Sequence, residues 1–351
     1  MKTTTHKAGA DNKILEKHRA LSFKKISSVC SLNRLAECLE LTDKDFVNMI
    51  FNIESDPLFR RLCYNPYPED TIVTMKRFEG ADISLDFYRW VKPPFKRSFI
   101  DLVGETQFKH FFIYHDSPLT PEQIAANCGI SLHETVAVRD HLSLAYVPSG
   151  TIAEIISQSS VTYTGEEHEK MMINFYSPIM ARGIYIIDYQ RLSAIREMLH
   201  AQFDKEHIRK VIRALELINL RKTIVYNILQ QMFAFQQQFI KTGDVFKKVI
   251  LNQKTIAQEL CIDKSIVSRA IHNRSIIVQG TKIFLKDLCL NKKKIILQLM
   301  KKITEDERTI SSDEELRKKI KSRYRIRVSR RSIATYRKQL TIPSSFTRVK
   351  S

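Results

Sequence analysis

The 351-residue sequence is poor in glycine, with nine residues, and contains a single tryptophan. It has neither a GxxxxGK[ST] nor a GxGxxG segment, which argues against a nucleotide-binding loop of its own. No apolar run reaches the roughly 20 residues that a membrane-spanning helix needs. The polar start MKTTTHKAGADNK lacks the apolar stretch of a signal peptide. The sequence therefore predicts a cytoplasmic protein with no membrane partner.

The cysteines and acidic residues lack the spacing of a metal or catalytic site. None of the six cysteines forms a C-x-x-C pair or has a histidine at metal-ligand spacing. We expect reduced core thiols, no metal and no cofactor. The sequence also lacks HExxH, a credible pair of metal-binding carboxylates and a nucleophile motif, so an enzyme is not expected. The cysteine positions are 30, 38, 63, 128, 261 and 289.

The charge is strongly positive and concentrated at the C-terminal end. The formal net charge is +19, and residues 290–351 alone contain 19 Lys/Arg against 6 Asp/Glu. A polyanion is the expected partner, either nucleic acid or an anionic membrane surface. The segment lacks the wide apolar face of an interfacial helix, which favours nucleic acid.

A short amphipathic helix is predicted near the C-terminus, beginning after Ser329 and ending before Pro343. Arg330 and Arg331 lie in its first turn, where the helix dipole disfavours cations. Helix stability therefore does not explain them, whereas a recognition helix in the major groove uses such residues to read guanine. The alternative, a solvated basic face, stays open on the pattern alone.

A second DNA-reading unit is predicted at residues 254–270. Asp263 is placed to cap its second helix, and Ile266, Val267 and Ala270 form the inner face. The outward face would then carry Lys264, Ser265, Ser268 and Arg269.

Three further segments have clear patterns. Residues 204–241 contain no Gly or Pro and keep a helical period, which predicts one helix of about 57 Å. Residues 120–136 have the outline of a helix-turn-helix with few basic residues, which favours a protein-binding or structural role over DNA binding. Residues 14–58 predict a helical hairpin, followed by a Pro-rich linker to residue 96.

Two of these segments resemble motifs of one family. The string RRSIATYRK, followed by IPSS, resembles the RpoN box of the bacterial sigma-54 (sigma-N, enhancer-dependent) factors. SIVSRA at 265–270 is similar to the strongest block of that family's helix-turn-helix, although Cys261 replaces its turn glycine and Lys264 replaces its glutamate. Weaker similarities lie at Gln236-x-x-Phe239 and at Leu39-Glu40-Leu41.

The resemblance implies an all-α, elongated, multi-domain fold. Its expected parts are a regulatory, activator-interacting helical hairpin at 1–59, a short linker at 60–95, a domain binding core RNA polymerase at 96–200, an extra-long helix with a helix-turn-helix at 201–290, and an RpoN-box domain at 291–351.

The implied function is that of an alternative sigma factor. It would direct core RNA polymerase to double-stranded GG/GC promoters in the nucleoid and hold a closed complex until an AAA+ activator ATPase acts. The alternative is a stand-alone helix-turn-helix regulator that no longer binds polymerase. The implied DNA contacts are Arg330 and Arg331 to GG, Arg269 to GC, and Ser332, Thr335, Tyr336, Arg337, Lys338, Lys264, Ser265 and Ser268 beside them. The implied activator contacts are Phe46, Met49, Ile50, Ile53 and Phe59.

Overall fold

The fold is mainly helical, as predicted, with short strands that the sequence analysis missed. The chain is described by a computed structural model. The described residues are 32–63, 71–83, 99–114, 119–144, 159–162, 173–175, 178–289, 291–306, 312–324 and 326–342.

The N-terminal described segment is a set of three helices. Thr42 caps the second of them, because its side chain accepts a hydrogen bond from the Asp45 amide. Helices are thus present where the hairpin was predicted, from residue 32 onward, and residues 14–31 lie outside the described part. The helices are α1 (Leu32–Glu40), α2 (Asp43–Glu54) and α3 (Pro57–Cys63).

The segment predicted as a linker with little regular structure contains regular elements in its described part. Residues 60–63 belong to α3, and two strands follow, β1 (Val73–Lys76) and β2 (Ala81–Ile83). The Pro-rich punctuation gave no sign of them, because their pairing partners are about 90–110 residues away in sequence. After them come α4 (Phe99–Val103) and α5 (Glu105–Phe108).

The predicted first helix-turn-helix is confirmed as a pair of helices, α6 (Pro121–Cys128) and α7 (Leu132–Leu144). Thr120 and Gln123 form a reciprocal capping box, and Gly129 ends α6 with a φ of 65°. The remaining elements before the long helix are β3 (Ser159–Thr162), β4 (Ile173–Phe175), α8 (Pro178–Ala181), β5 (Ile184–Ile187), α9 (Tyr189–Ala194) and α10 (Arg196–Gln202).

The long helix α11 (Lys205–Thr242) runs for 38 residues, as the uninterrupted pattern predicted. The Asp204 side chain caps its first turn, and Gly243 ends it with a φ of 67°. Its regular geometry is interrupted at Gln236, whose side-chain amide donates to the carbonyls of Val249 and Leu288.

The predicted second helix-turn-helix is also confirmed as α12 (Gln253–Glu259) and α13 (Lys264–Ile271), and a hairpin of β6 (Ser275–Val278) and β7 (Thr281–Phe284) follows it. β6 and β7 complete a five-stranded sheet in the order β2-β4-β3-β6-β7, while β1 pairs antiparallel with β5. The chain ends in α14 (Lys292–Asp306), α15 (Asp313–Tyr324) and α16 (Arg330–Gln339).

The buried apolar residues form two main groups. Residues between Leu35 and Leu288 share one continuous core around α11. The last three helices have their own core, with Met300, Ile320 and Ile333 fully buried. Each group contains one of the two helices predicted to bind DNA, α13 in the first and α16 in the second.

Candidate nucleic-acid interface

Helix α13 has the inner and outer faces that the sequence predicted. Val267 and Ala270 are buried against α11 and α12, while Lys264, Ser265 and Ser268 are exposed on the opposite side. Asp263 caps the helix by accepting from the Ser265 amide at 2.7 Å. Hydrogen bonding from Ser265 lowers the pKa of the Asp263 carboxyl, so the cap stays ionised at neutral pH.

The turn before α13 contains an unusual backbone conformation. Cys261, which stands where the resembling family has glycine, has a φ of 53°. The left-handed region is unfavourable for residues with a Cβ atom, so this turn stores strain. The side chain is exposed, so the prediction of a core thiol is wrong for this cysteine.

Arg269 on the outward face of α13 contacts the N-terminal helix α1. Its Nε donates to the Glu40 carboxylate at 2.9 Å, and both side chains remain partly exposed. The guanidinium predicted to read a base therefore has a carboxylate partner in this structure. The Arg269 Nε cannot donate to a base and to Glu40 at the same time.

Buried cations fix α1 and α2 to the DNA-binding part of the chain. Arg274, just after α13, donates to the carbonyls of Ala270 and Leu39. Arg221 of α11 donates to the Cys38 carbonyl at 2.6 Å and to Asp43 at 3.1 Å. Because both guanidinium groups are buried, separating the N-terminal helices would remove their acceptors on Leu39, Cys38 and Asp43.

A second polar network lies where α2, β5 and α11 meet. The Glu54 carboxylate accepts from the Tyr185 hydroxyl at 2.6 Å and from Arg182 at 3.3 Å. Lys222 of α11 donates to the Gly183 carbonyl at 2.7 Å. Burial lowers the pKa of Lys222 to about 7.

Helix α16 exposes the predicted arginine pair. Ser329 caps it by accepting from the Ser332 amide at 3.1 Å, as predicted. Ile333 is fully buried, whereas Arg330, Arg331 and, near the C-terminal end of the helix, Lys338 are exposed. Thr335 is also exposed, and with the 3.6-residue period Arg331, Thr335 and Lys338 form one stripe opposite the buried face.

Three other residues of α16 make contacts within the C-terminal unit. Arg337 is only 5% exposed and forms an ion pair with Asp313 of α15 at 2.7 Å. It therefore holds two helices together, and its assignment as a DNA contact is corrected. Tyr336 is half-buried against the C-terminal core, and the Ser332 hydroxyl is 2.8 Å from that of Ser329.

The predicted activator contacts of α2, and Phe59 of α3, point into the protein, contrary to that predicted role. Phe46, Ile50 and Phe59 are at most 1% exposed, and Met49 and Ile53 pack against the same core. Amphipathicity identified the stripe correctly, but it could not tell an internal partner from an external one.

Helix α7, in the position of a recognition helix, exposes two apolar side chains at its start. Leu132 is 44% exposed and Val136, one turn later, is 42% exposed. This surface suits a protein partner better than a phosphate backbone.

The hairpin β6–β7 was missed by the sequence analysis. Its two-residue turn, Gln279-Gly280, has positive φ at both residues, as a type I′ turn requires. The signal available was a glycine-containing pair between the apolar runs SIIV and TKIF. The hairpin begins four residues after α13 ends, so it adjoins the reading helix.

Part of the chain matches a known protein family. The family described as "Sigma-54, DNA binding domain" matches residues 200–350. The match spans α11 to α16 and contains both units with outward arginines. Residues 200–350 form a sigma-54 DNA-binding domain. The resemblance predicted from the sequence is confirmed.

One solved structure similar to the chain is described as "Crystal structure of Aquifex aeolicus sigmaN bound to promoter DNA". It has 18% sequence identity and a TM-score of 0.36, and the alignment covers 66% of this chain and 88% of that one. No curated protein matches the chain.

The sigma-54 domain makes the chain a DNA-binding protein rather than an enzyme. Among the described residues, no three His, Cys, Asp or Glu side chains are grouped as metal ligands. Within the same ranges, no helix is both long and apolar enough to cross a membrane.

Proposed function

We propose that this chain is a promoter-specific sigma factor that reads two DNA elements with α16 and α13. The main supporting observation is that both helices of the sigma-54 domain place an arginine on the face opposite their buried residues. Such a face fits the major groove, where arginine can bond to the O6 and N7 of guanine.

The two helices have separate roles in the proposal. Arg330 and Arg331 read the GG of an upstream element, and Thr335 and Lys338 lie on the same exposed stripe as Arg331. Arg269 reads the GC of a downstream element, and Lys264, Ser265 and Ser268 contact the nearby backbone. Ser332 and Tyr336 act mainly by fixing the position of α16, since both already pack within the C-terminal unit.

The test is a set of gel shifts with GG/GC, GG-scrambled and GC-scrambled duplexes. Arg331→Ala should weaken binding to GG probes by about 1–3 kcal/mol and leave binding to GG-scrambled probes unchanged. Lys338→Ala, the matched control on the same stripe, should weaken binding to all probes alike. Arg269→Ala should remove discrimination at GC alone. An equal loss of affinity on every probe for both arginine variants would mean that the arginines contact phosphates, and would contradict the proposed base recognition.

Core RNA polymerase is the proposed partner of residues 96–200. The exposed apolar pair Leu132 and Val136 on α7 supports a protein surface there. Pull-down of core polymerase should succeed with the native chain and fail with Leu132→Glu/Val136→Glu, while DNA binding persists. A native chain that binds DNA but not polymerase would instead be a stand-alone regulator.

The N-terminal helices are proposed to hold the polymerase complex closed until an AAA+ ATPase displaces them. Support comes from the contacts of α1 and α2 with α11 and α13, which include the Glu40–Arg269 pair and the buried Arg221 and Arg274 bonds. The apolar side chains of these helices are buried in the large core, and burial of each contributes about 1.5–3 kcal/mol to stability. Spontaneous separation of the helices is therefore costly. An external energy source is consistent with that cost.

A transcription assay tests this control. The native chain with core polymerase should open duplex promoter DNA only with activator and ATP, and should bind the closed promoter without either. Opening of intact duplex by the native chain and polymerase alone would contradict the proposed inhibition.

A further inference from the structure

The hairpin after α13 carries an exposed aromatic ring between two lysines. Phe284 ends β7 and is 37% exposed. The ammonium groups of Lys282 and Lys286 lie over its ring, 5.6 Å and 5.0 Å from the centroid. Phe284 and Lys282 share one face of the hairpin, opposite Ile276 and Ile283, since side chains alternate along a strand.

This hairpin is held firmly against the reading unit. Ile276 is fully buried in the large core, and the Leu285 amide donates to the Arg274 carbonyl at 2.8 Å. At the turn, the Gln279 side chain donates to the Lys241 carbonyl at the end of α11. The Lys-Phe-Lys group is therefore presented by a fixed support adjoining α13.

We propose that Lys282, Phe284 and Lys286 bind single-stranded DNA next to the duplex that α13 reads. An exposed ring can stack on the face of an unpaired base, whereas bases in a duplex are covered by their neighbours. Lysine side chains are flexible, so a base can replace one ammonium group at the ring while that group pairs with a phosphate. The adjacent acid, Asp287, interacts electrostatically with Lys248.

This inference deepens the proposed function and rests on it only for the position of the duplex. It assigns to the hairpin a preference for partly melted over fully paired DNA. Such a preference would stabilise separated DNA strands beside the downstream element without requiring base recognition.

The experiment compares a GC duplex with a probe in which the same duplex continues into a single strand on one side. Phe284→Ala should lose about tenfold or more in affinity for the partly single-stranded probe, in line with the loss of one stacked base. Its affinity for the full duplex should change less than twofold. The control Ile250→Ala removes another exposed apolar side chain, and should leave both affinities unchanged.

The lysines provide a second readout. Lys282→Ala and Lys286→Ala should each reduce the slope of log affinity against log salt on the single-strand probe by about 0.7, the value for one phosphate contact. Equal affinities of Phe284→Ala and the native chain on both probes, or equal losses on both, would overturn the proposal. Failure of Arg269→Ala to change GC discrimination would instead count against the proposed function, because neither probe series with Phe284→Ala depends on base identity.

Discussion

Lys222 is a buried cation in the middle of α11, and its surroundings make it sensitive to pH. Its side chain is 2% exposed and has Glu54 and Arg182 as charged neighbours. Burial lowers the pKa of Lys222 to about 7, against about 10.4 in an unfolded chain. Between those values the unfolded state binds more protons, so this group makes the fold more stable as pH rises.

Lys222→Met should therefore stabilise the protein most at low pH. At pH 6 the native chain must bury a charged amine, whereas methionine avoids that cost and loses the bond to Gly183 and the cation–π contact with Tyr185. The difference in free energy of unfolding between variant and native chain should shrink between pH 7 and pH 10. Urea unfolding at several pH values measures it. A difference independent of pH would mean that Lys222 is not deprotonated in the folded protein.

Cys261 offers a test of backbone strain at the turn before α13. Cys261→Gly should raise the free energy of unfolding by about 1 kcal/mol, because glycine adopts the observed φ of 53° without the Cβ penalty. Cys261→Ala keeps the Cβ atom and serves as the control, with little expected change. Thermal unfolding of the two variants distinguishes strain from loss of the thiol.

Residue roles could be predicted from the sequence where they depend on neighbours a few positions away. Asp263 and Ser329 were recognised as caps because capping needs only the next two or three residues. Arg337 was assigned to DNA because nothing in its local sequence reveals that Asp313, 24 residues earlier, lies beside it. Phe46 was assigned to an external partner for the same reason.

At the scale of elements, the contact of α1 with α13 links the N-terminal helices to DNA reading. Glu40→Gln should raise affinity for GC duplex by about two- to fivefold, since a partly exposed ion pair contributes at most about 1 kcal/mol. Glu37→Gln makes the same charge change one turn earlier on the exposed side of α1 and serves as the control. Equal gains in both variants would indicate general charge repulsion of DNA rather than release of Arg269.

The helices were predictable and the strands were not, for a physical reason. A helix forms from bonds within one segment, so periodicity and caps located α6, α7, α11, α12, α13 and α16. β1 pairs with β5 and β2 with β4 across about 90–110 residues, and strands of three or four residues are too short for a clear period.

At the scale of the whole molecule, the two hydrophobic cores predict two units that open separately. Arg337→Met should destabilise the C-terminal unit by about 1–3 kcal/mol, because the Asp313 pair is lost. Hydrogen exchange should accelerate in α14–α16 and stay unchanged in α11, whose side chains belong to the other core. Exchange that rises throughout the chain would indicate one cooperative unit.

The two cores are nevertheless joined closely. Val245 packs against the large core, and its neighbour Phe246 packs against the C-terminal one. A second connection between the cores is also short, because Leu288 is still buried in the large core and α14 starts at Lys292. Both connections restrict how far α16 can move from α13.

That restriction carries over to the helical phase of the DNA. Five base pairs inserted between two promoter elements would separate them by about 17 Å more and turn them to opposite sides of the duplex, since B-DNA repeats about every 10.5 base pairs. Because the units that contain α13 and α16 are joined at Val245 and Phe246, the two helices cannot follow both the added distance and the rotation. Its binding would therefore depend on the number of base pairs between the two elements as well as on their sequence.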